Sequence, residues 1–100
     1  MCIYASSKAA LNHLAVNLAY DFGEMGVRIN NVGPGATKTA ALAKILTPEL
    51  QEKMLRHTPI KRLGEVSDIA QAVLFFASPV SSWISGQILF VNGGGIQTLD

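Results

Sequence analysis

The sequence predicts an α/β protein with a parallel sheet, and three observations carry that reading. A helical run ends at glycine and passes within a few residues into a β-branched strand, an order that builds half of a β–α–β unit. The segment Gln87 to Val91 is nearly all apolar and of strand length, the pattern of a strand covered on both faces. An apolar helix lies between them, so the coarse order is helix, strand, insertion, helix, strand.

Taken in order, residues Ala5 to Phe22 read as helix. Ala10, Leu14, Leu18 and Phe22 recur on one stripe, with Leu11, Ala15 and Ala19 beside it. The alanines permit close approach by a neighbouring helix. Gly23 and Gly26 supply the stop. Asp21 and Glu24, near the end where the helix dipole disfavours acids, are expected to face solvent. Val27 to Val32 reads as a strand that runs into the turn Gly33-Pro34-Gly35. After Ala36 to Lys38, Thr39 is the candidate N-cap of a short helix to Leu46. Thr47-Pro48-Glu49 opens a second helix, proline in its first turn, continuing to about His57. These two helices form an insertion, about residues 39–61, that reads as a flap over a ligand, with a plain surface connection as the competing reading. Thr58-Pro59 breaks the flap, and Arg62-Leu63-Gly64 is a connection. Ser67-Asp68 starts the apolar helix, which Ser78-Pro79 ends. Ser81 to Gly86 is a loop whose Trp83 reads as a core or interface aromatic. Asn92 to Gly95 closes the last strand, and Ile96 to Asp100 is a tail.

One hundred residues suit one domain at most, or part of a larger one. An apolar content of 49% is high for a chain that must cover its own surface, and reads as a buried or assembled piece. The mean hydropathy of +0.30 agrees. Two strands do not make a stable doubly wound sheet, so further strands are expected before Met1. A net charge of +1 gives no electrostatic footprint for nucleic acid. No basic run points to a membrane surface, and the longest apolar run, Ala72 to Ala77, is far shorter than a span. The N-terminus has no signal-peptide pattern. The single cysteine, Cys2, makes no internal disulfide and fits a reducing, cytoplasmic compartment. Cys2, His13 and His57 lack ligand spacing, so no metal site is expected.

Tyr4 and Lys8, spaced i,i+4, share one face of the first helix. A cation held beside a phenol favours the phenolate, which makes the pair a proton-transfer device suited to interconverting a hydroxyl and a carbonyl. The competing reading is an ordinary exposed pair on a helix. Gly33-Pro34-Gly35 lies at the carboxyl end of a predicted parallel strand, where open α/β sheets bind ligands, with Thr37-Lys38-Thr39 just beyond. No dinucleotide fingerprint occurs: Gly93 to Gly95 follows a strand but precedes no helix. A serine hydrolase is the competing enzyme class, but no Gly-x-Ser-x-Gly elbow occurs, and His13 and His57 read as solvated or packing residues. Asp68 reads as a first-turn helix complement and Arg62 as locally paired.

Four blocks, in order, resemble the C-terminal half of the short-chain dehydrogenases/reductases. They are Tyr4-Ala5-Ser6-Ser7-Lys8; Arg28 to Gly35 with Thr39; Arg62-Leu63-Gly64 with Asp68-Ile69-Ala70; and Ser85-Gly86-Gln87 with Val91-Asn92-Gly93-Gly94. The resemblance implies a Rossmann-type doubly wound parallel sheet whose N-terminal half lies outside this sequence. It implies an oxidoreductase that interconverts a secondary alcohol and a ketone with NAD, NADP being left open because the selecting residues are not among these. Tyr4 is then the general acid/base, and Lys8 lowers the phenol pKa and bonds the nicotinamide ribose. Pro34 and Gly35 shape the loop beside the nicotinamide, and Thr37, Lys38 and Thr39 contact the cofactor. The flap wording, Leu46-Thr47-Pro48-Glu49, His57-Thr58-Pro59-Ile60 and Ser82 to Leu89, resembles members acting on steroids such as bile acids. The alternatives are a reductase of carrier-bound acyl groups and a non-catalytic remnant. The family also implies a homotetramer, with the first helix and the segment from Gln87 to the tail at subunit contacts. Asn92 stands where many members have Asp, and Ser85 where many have Thr. The glycine-rich phosphate loop, catalytic serine and structural asparagine of the family are expected before Met1, so these residues alone are expected to be inactive.

Overall fold

The first helix follows from its composition. Alanines and leucines recur with no glycine or proline before Gly23, and the computed structural model, which describes residues 2–95, shows α1 over Cys2–Phe22. It begins earlier than Ala5, so Tyr4 and Lys8 are both inside it. A 3-10 turn, Gly23–Met25, follows, and Gly26 ends it at φ 73° with its N–H on Gly23 O. That left-handed backbone is strained for any residue with a Cβ. Asp21 and Glu24 are exposed, as expected.

The sheet is parallel. Strand β1, Asn31–Pro34, pairs with β4, Ile88–Val91, in the register Asn31 to Ile88 through Pro34 to Val91. The expected strand at residues 27–32 is displaced toward the C-terminus, because the preceding residues are used otherwise. Ile29 N–H donates to Ser85 Oγ at 3.1 Å, and Gly86 N–H donates to Ile29 O at 2.7 Å. Asn30 Nδ2 donates to Ile84 O and its Oδ1 accepts Gln87 N–H, both at 3.0 Å. Arg28 Nη1 donates to Ser81 Oγ at 3.0 Å. Residues 28–30 are thus knotted to the loop 81–87 by four side-chain bonds and one backbone bond, and the ladder starts only after them.

Ser81 is the centre of that knot and has 0% exposure. Its one hydroxyl proton faces the carbonyls of Phe75 at 2.8 Å, Phe76 at 3.0 Å and Ser78 at 3.2 Å. These lie at the end of α4, Val66–Ala77, where the last carbonyls of a helix have no partner within it. Ser78 and Pro79 stop α4 as expected, with a 3-10 turn at Pro79–Ser81. At its start Asp68 accepts Glu65 N–H at 2.8 Å and Arg62 Nη1 at 2.9 Å, the first-turn place anticipated for Asp68 and the local pairing anticipated for Arg62.

The insertion after β1 is shorter in helix than expected: α2 spans Ala40–Ala43 and α3 spans Pro48–Met54. Thr39 caps the first through Leu42 N–H at 3.2 Å, and Thr47 caps the second through Leu50 N–H at 3.1 Å. What the sequence did not predict is how the insertion is rooted. Thr37–Lys38 (β2) and Gly64–Glu65 (β3) form a two-residue parallel ladder across its base. Gly64 N–H to Ala36 O at 2.9 Å closes the same seam.

Little of this is buried. Ala15, Leu55, Leu63, Ala72 and Ser81 form the interior. The accessible surface is 7503 Å², against about 5500 Å² for a compact monomer of this mass. The radius of gyration is 15.6 Å, where about 13 Å is usual for this length. One expectation fails for that reason: Leu89 and Phe90 of β4 are exposed, because the described residues cover only part of each sheet face. Trp83 is 98% exposed, which removes the core half of its core-or-interface reading. The stripe predicted for α1 also shifts: Ala15 is buried and Asn12, Leu18 and Ala19 half-buried, while Ala10 and Leu14 are exposed. The predicted tail, 96–100, lies outside the described residues.

Candidate active site

The i,i+4 spacing does what it predicts. Lys8 Nζ lies 5.4 Å from the centroid of the Tyr4 ring, over its face. A cation so placed is attracted by the ring quadrupole. Tyr4 is 62% exposed, and Ser7 Oγ donates to Tyr4 O at 2.7 Å. The pair is therefore formed by the helix itself, and its polar ends face outward.

Contacts along α1 fix where that pair points. Near its C-terminal part, a Cβ on Gly86 would lie 3.4 Å from Ala19 Cβ and 3.8 Å from Val16 Cα. Further back, Asn31 Nδ2 donates to Asn12 Oδ1 at 3.0 Å. Gly86 is bonded to Ile29, so the chain from Ile29 into β1 at Asn31 runs alongside 19 to 12 along α1, in the opposite direction. From Asn12 back to Tyr4 is about 12 Å of helix, and from Asn31 on to Gly35 is about 13 Å of strand. Tyr4 and Gly35 thus reach the same level, the carboxyl end of the parallel strands. This is where ligands bind in open α/β sheets.

The loop at that end is built by its own bonds. Gly35 N–H donates to Val91 O at 2.9 Å, extending the ladder past Pro34. Thr37 Oγ1 donates to Gly35 O at 2.9 Å and Thr39 N–H to Thr37 O at 3.0 Å, while Lys38 is exposed. The glycines answer to β4: a Cβ on Gly33 would lie 2.6 Å from the Phe90 ring, and one on Gly35 2.7 Å from Asn92 Cα. Gly33 and Gly35 therefore let the loop lie flat against the end of β4 and the residue after it. Asn92 folds the following turn, its Oδ1 accepting Gly94 N–H and its Nδ2 donating to Gly95 O.

Beside this end lies an open cavity of about 310 Å³, lined among others by Ala36, Arg62, Asp68, Phe90, Asn92 and Gly93. Of the residues singled out in the sequence for binding, none lines it; only their neighbour Ala36 does. Its charged residues are committed to one another. The bond from Arg62 first, and Glu65 N–H second, holds the Asp68 carboxyl below the usual carboxylate range, and Asp68 raises the Arg62 guanidinium in turn. Among the described residues no group of three His, Cys, Asp or Glu could hold a metal ion, and no helix is long and apolar enough to cross a membrane.

Known proteins resemble this chain over nearly its whole length. A family model described as enoyl-(acyl carrier protein) reductase matches residues 1–95. The 7alpha-hydroxysteroid dehydrogenase of Escherichia coli K12 is 57% identical over 100 residues, all of this chain and 39% of that protein. A solved 7alpha-hydroxysteroid dehydrogenase, complexed with NADH and 7-oxo glycochenodeoxycholic acid, superposes with a TM-score of 0.85 at 58% identity. The match covers 97% of this chain and 38% of that one. A 3-oxoacyl-[acyl-carrier protein] reductase from Brucella melitensis gives a TM-score of 0.88 at 32% identity, over 97% of this chain and 36% of that one. The chain thus spans about two fifths of the length of the relatives it matches. Its parallel strands and helices are a C-terminal part of a Rossmann-type doubly wound α/β fold.

Proposed function

The chain belongs to the short-chain dehydrogenase/reductase family, and from that premise we propose that it carries the acid/base half of an NAD-dependent 7alpha-hydroxysteroid dehydrogenase. The supporting observation is the placement of Tyr4 and Lys8 level with the Gly35 loop at the carboxyl end of β1. The substrate is a secondary alcohol or ketone on a steroid of bile-acid type, as in the relatives at 57% and 58% identity.

The donor set here suits the nicotinamide riboside end of NAD. Lys8 offers an ammonium for the ribose hydroxyls. Thr37 and Thr39 offer hydroxyl and backbone groups in a loop that Gly35 seats against Asn92. Nothing among these residues fits a pyrophosphate, since no glycine-rich turn opens a helix. NAD bound there would supply hydride exchange at the carbon that carries the substrate oxygen. Tyr4 donates its phenolic proton to that oxygen in reduction and accepts it back in oxidation. Lys8 holds positive charge beside the phenol. The helices α2 and α3, rooted by the β2–β3 seam, form the flap that excludes water from the substrate. The exposed apolar residues of α1, Leu14 and Tyr20 among them, suit the subunit contact of a cytoplasmic homotetramer.

A full-length chimera tests this, with residues 1–100 replacing the matching C-terminal part of the Escherichia coli relative. Oxidation of a 7α-hydroxylated bile acid such as cholate, with NAD, is expected. Turnover of acyl thioesters with none of cholate would instead favour the reductase reading, for which the 32% identical Brucella structure speaks. Residues 1–100 alone are expected to give no calorimetric NAD binding, and micromolar affinity would contradict the division of the site.

A further inference from the structure

The proposed reaction leaves the run Gly93-Gly94-Gly95 without a part, yet it lies beside the arm, residues 57–60, by which the insertion returns to the sheet. The tight contact is at Gly93, whose φ is 63°: a Cβ there would lie 3.0 Å from Thr58 Cγ2. Ile60 N–H donates to Gly93 O at 3.1 Å, so the approach is bonded as well as close. A Cβ on Gly94, at φ 81°, would meet Pro59 Cγ only at 3.5 Å, an ordinary contact. The residue before the run, Asn92, takes the other loop, since a Cβ on Gly35 would reach its Cα at 2.7 Å. We infer that the turn after β4 seats both loops of the proposed site, the cofactor loop on Asn92 and the flap on Gly93, which makes Gly93 a positioning residue for the substrate.

These are contacts within the chain, and they stand whatever the rest of the domain or a partner adds outside them. A methyl added at Gly93 has to go where Thr58 Cγ2 is, because carbon atoms prefer a separation of about 3.5–4.0 Å. The push reaches the flap through Leu55, which caps the end of α3. Its carbonyl accepts Thr58 N–H at 3.1 Å and Lys61 Nζ at 2.9 Å, and its side chain is buried. The root of the flap is held separately, by the β2–β3 seam and by Gly64 N–H on Ala36 O. A displaced arm therefore moves α3 against a fixed root, while Tyr4, Lys8 and the Gly35 loop keep their places. Substrate affinity changes and the chemical step does not.

The inference rests on the bile-acid reading of the flap, and the experiment separates the two. In the chimera, Gly93→Ala is expected to raise KM for cholate about fivefold, with kcat and KM for NAD within about twofold. Gly94→Ala forces alanine into a left-handed backbone in the same turn without the push, so its KM for cholate should stay within about twofold of the parent. Thr58→Ala removes the Cγ2 in the way. In that background Gly93→Ala should raise KM by less than about twofold, the backbone strain being common to both. Should Gly93→Ala alone not fold, the double variant is expected to fold. Hydrogen exchange reads the seat without turnover: the amides of α3 should exchange about tenfold faster in Gly93→Ala than in Gly94→Ala. Parental KM in Gly93→Ala, an equal rise in Gly94→Ala, or equal α3 exchange in the two overturns the seat on Gly93. A double variant that keeps the full rise, or fails to fold as well, overturns it too. A parent chimera that does not turn over cholate overturns the bile-acid reading instead, and α3 exchange then decides the seat.

Discussion

Two regions at opposite ends of β1 are held in contrasting ways. At its start, residues 28–30 share five hydrogen bonds with residues 81–87, and Ser81 is wholly buried at the centre. Toward its far end, Tyr4 and Lys8 stand on a run of helix, residues 2–11, that is exposed in this part of the domain, and the next residue, Asn12, accepts from Asn31. The knotted region fixes the register of the parallel strands and ends α4. The open region carries the two groups proposed as acid/base, facing outward. Stability and chemistry are separated along a single strand.

The knot is where a substitution should cost most. Ser81→Ala removes the acceptor of Arg28 and the donor to the end of α4, leaving buried polar groups unpaired. We expect a loss of about 1–3 kcal/mol in the urea-unfolding free energy of the chimera. At the loop between the regions, Gly35→Ala puts a Cβ 2.7 Å from the Asn92 backbone, which has to shift. A loss of about 1–2 kcal/mol is expected, with a rise in KM for NAD as the loop lifts. Thr39→Ala removes one cap from the flap and should cost about 1 kcal/mol by the same measurement.

The smallest effect belongs to acid. The Asp68 carboxyl is lowered by its bond to Arg62, so its folded pKa lies below the unfolded value of about 3.9. Its stabilisation is fully present above that value and is lost as pH falls through the folded pKa. Asp68→Asn should therefore narrow the stability difference between pH 7 and the most acid conditions. Both groups are solvent-accessible, so the effect is small and should weaken further in high salt.

What the sequence discloses follows the same division. Local signals were legible. Alanines bounded by Gly23 and Gly26 gave α1, and Thr39 declared its cap. Ser78-Pro79 declared the end of α4, and the i,i+4 spacing brought Lys8 over Tyr4. Non-local ones were not. A two-residue ladder such as β2–β3 has no periodicity to detect. Ile29 and Asn30 read as strand because nothing nearby shows that their groups bond residues more than fifty positions away. Phe90 reads as buried, and Trp83 as core or interface, because apolar character reports a preference for burial, not the neighbours that would supply it. The Asn12–Asn31 bond spans 19 positions and joins two residues with no motif between them.

The account turns on Tyr4 as the proton donor and acceptor at the carboxyl end of β1. The most direct measurement is steady-state oxidation of cholate by the Tyr4→Phe chimera, with NADH affinity measured alongside. We expect kcat to fall by about a hundredfold or more, with NADH affinity within about threefold of the parent. A Tyr4→Phe chimera that turns over cholate at the parent rate would contradict it.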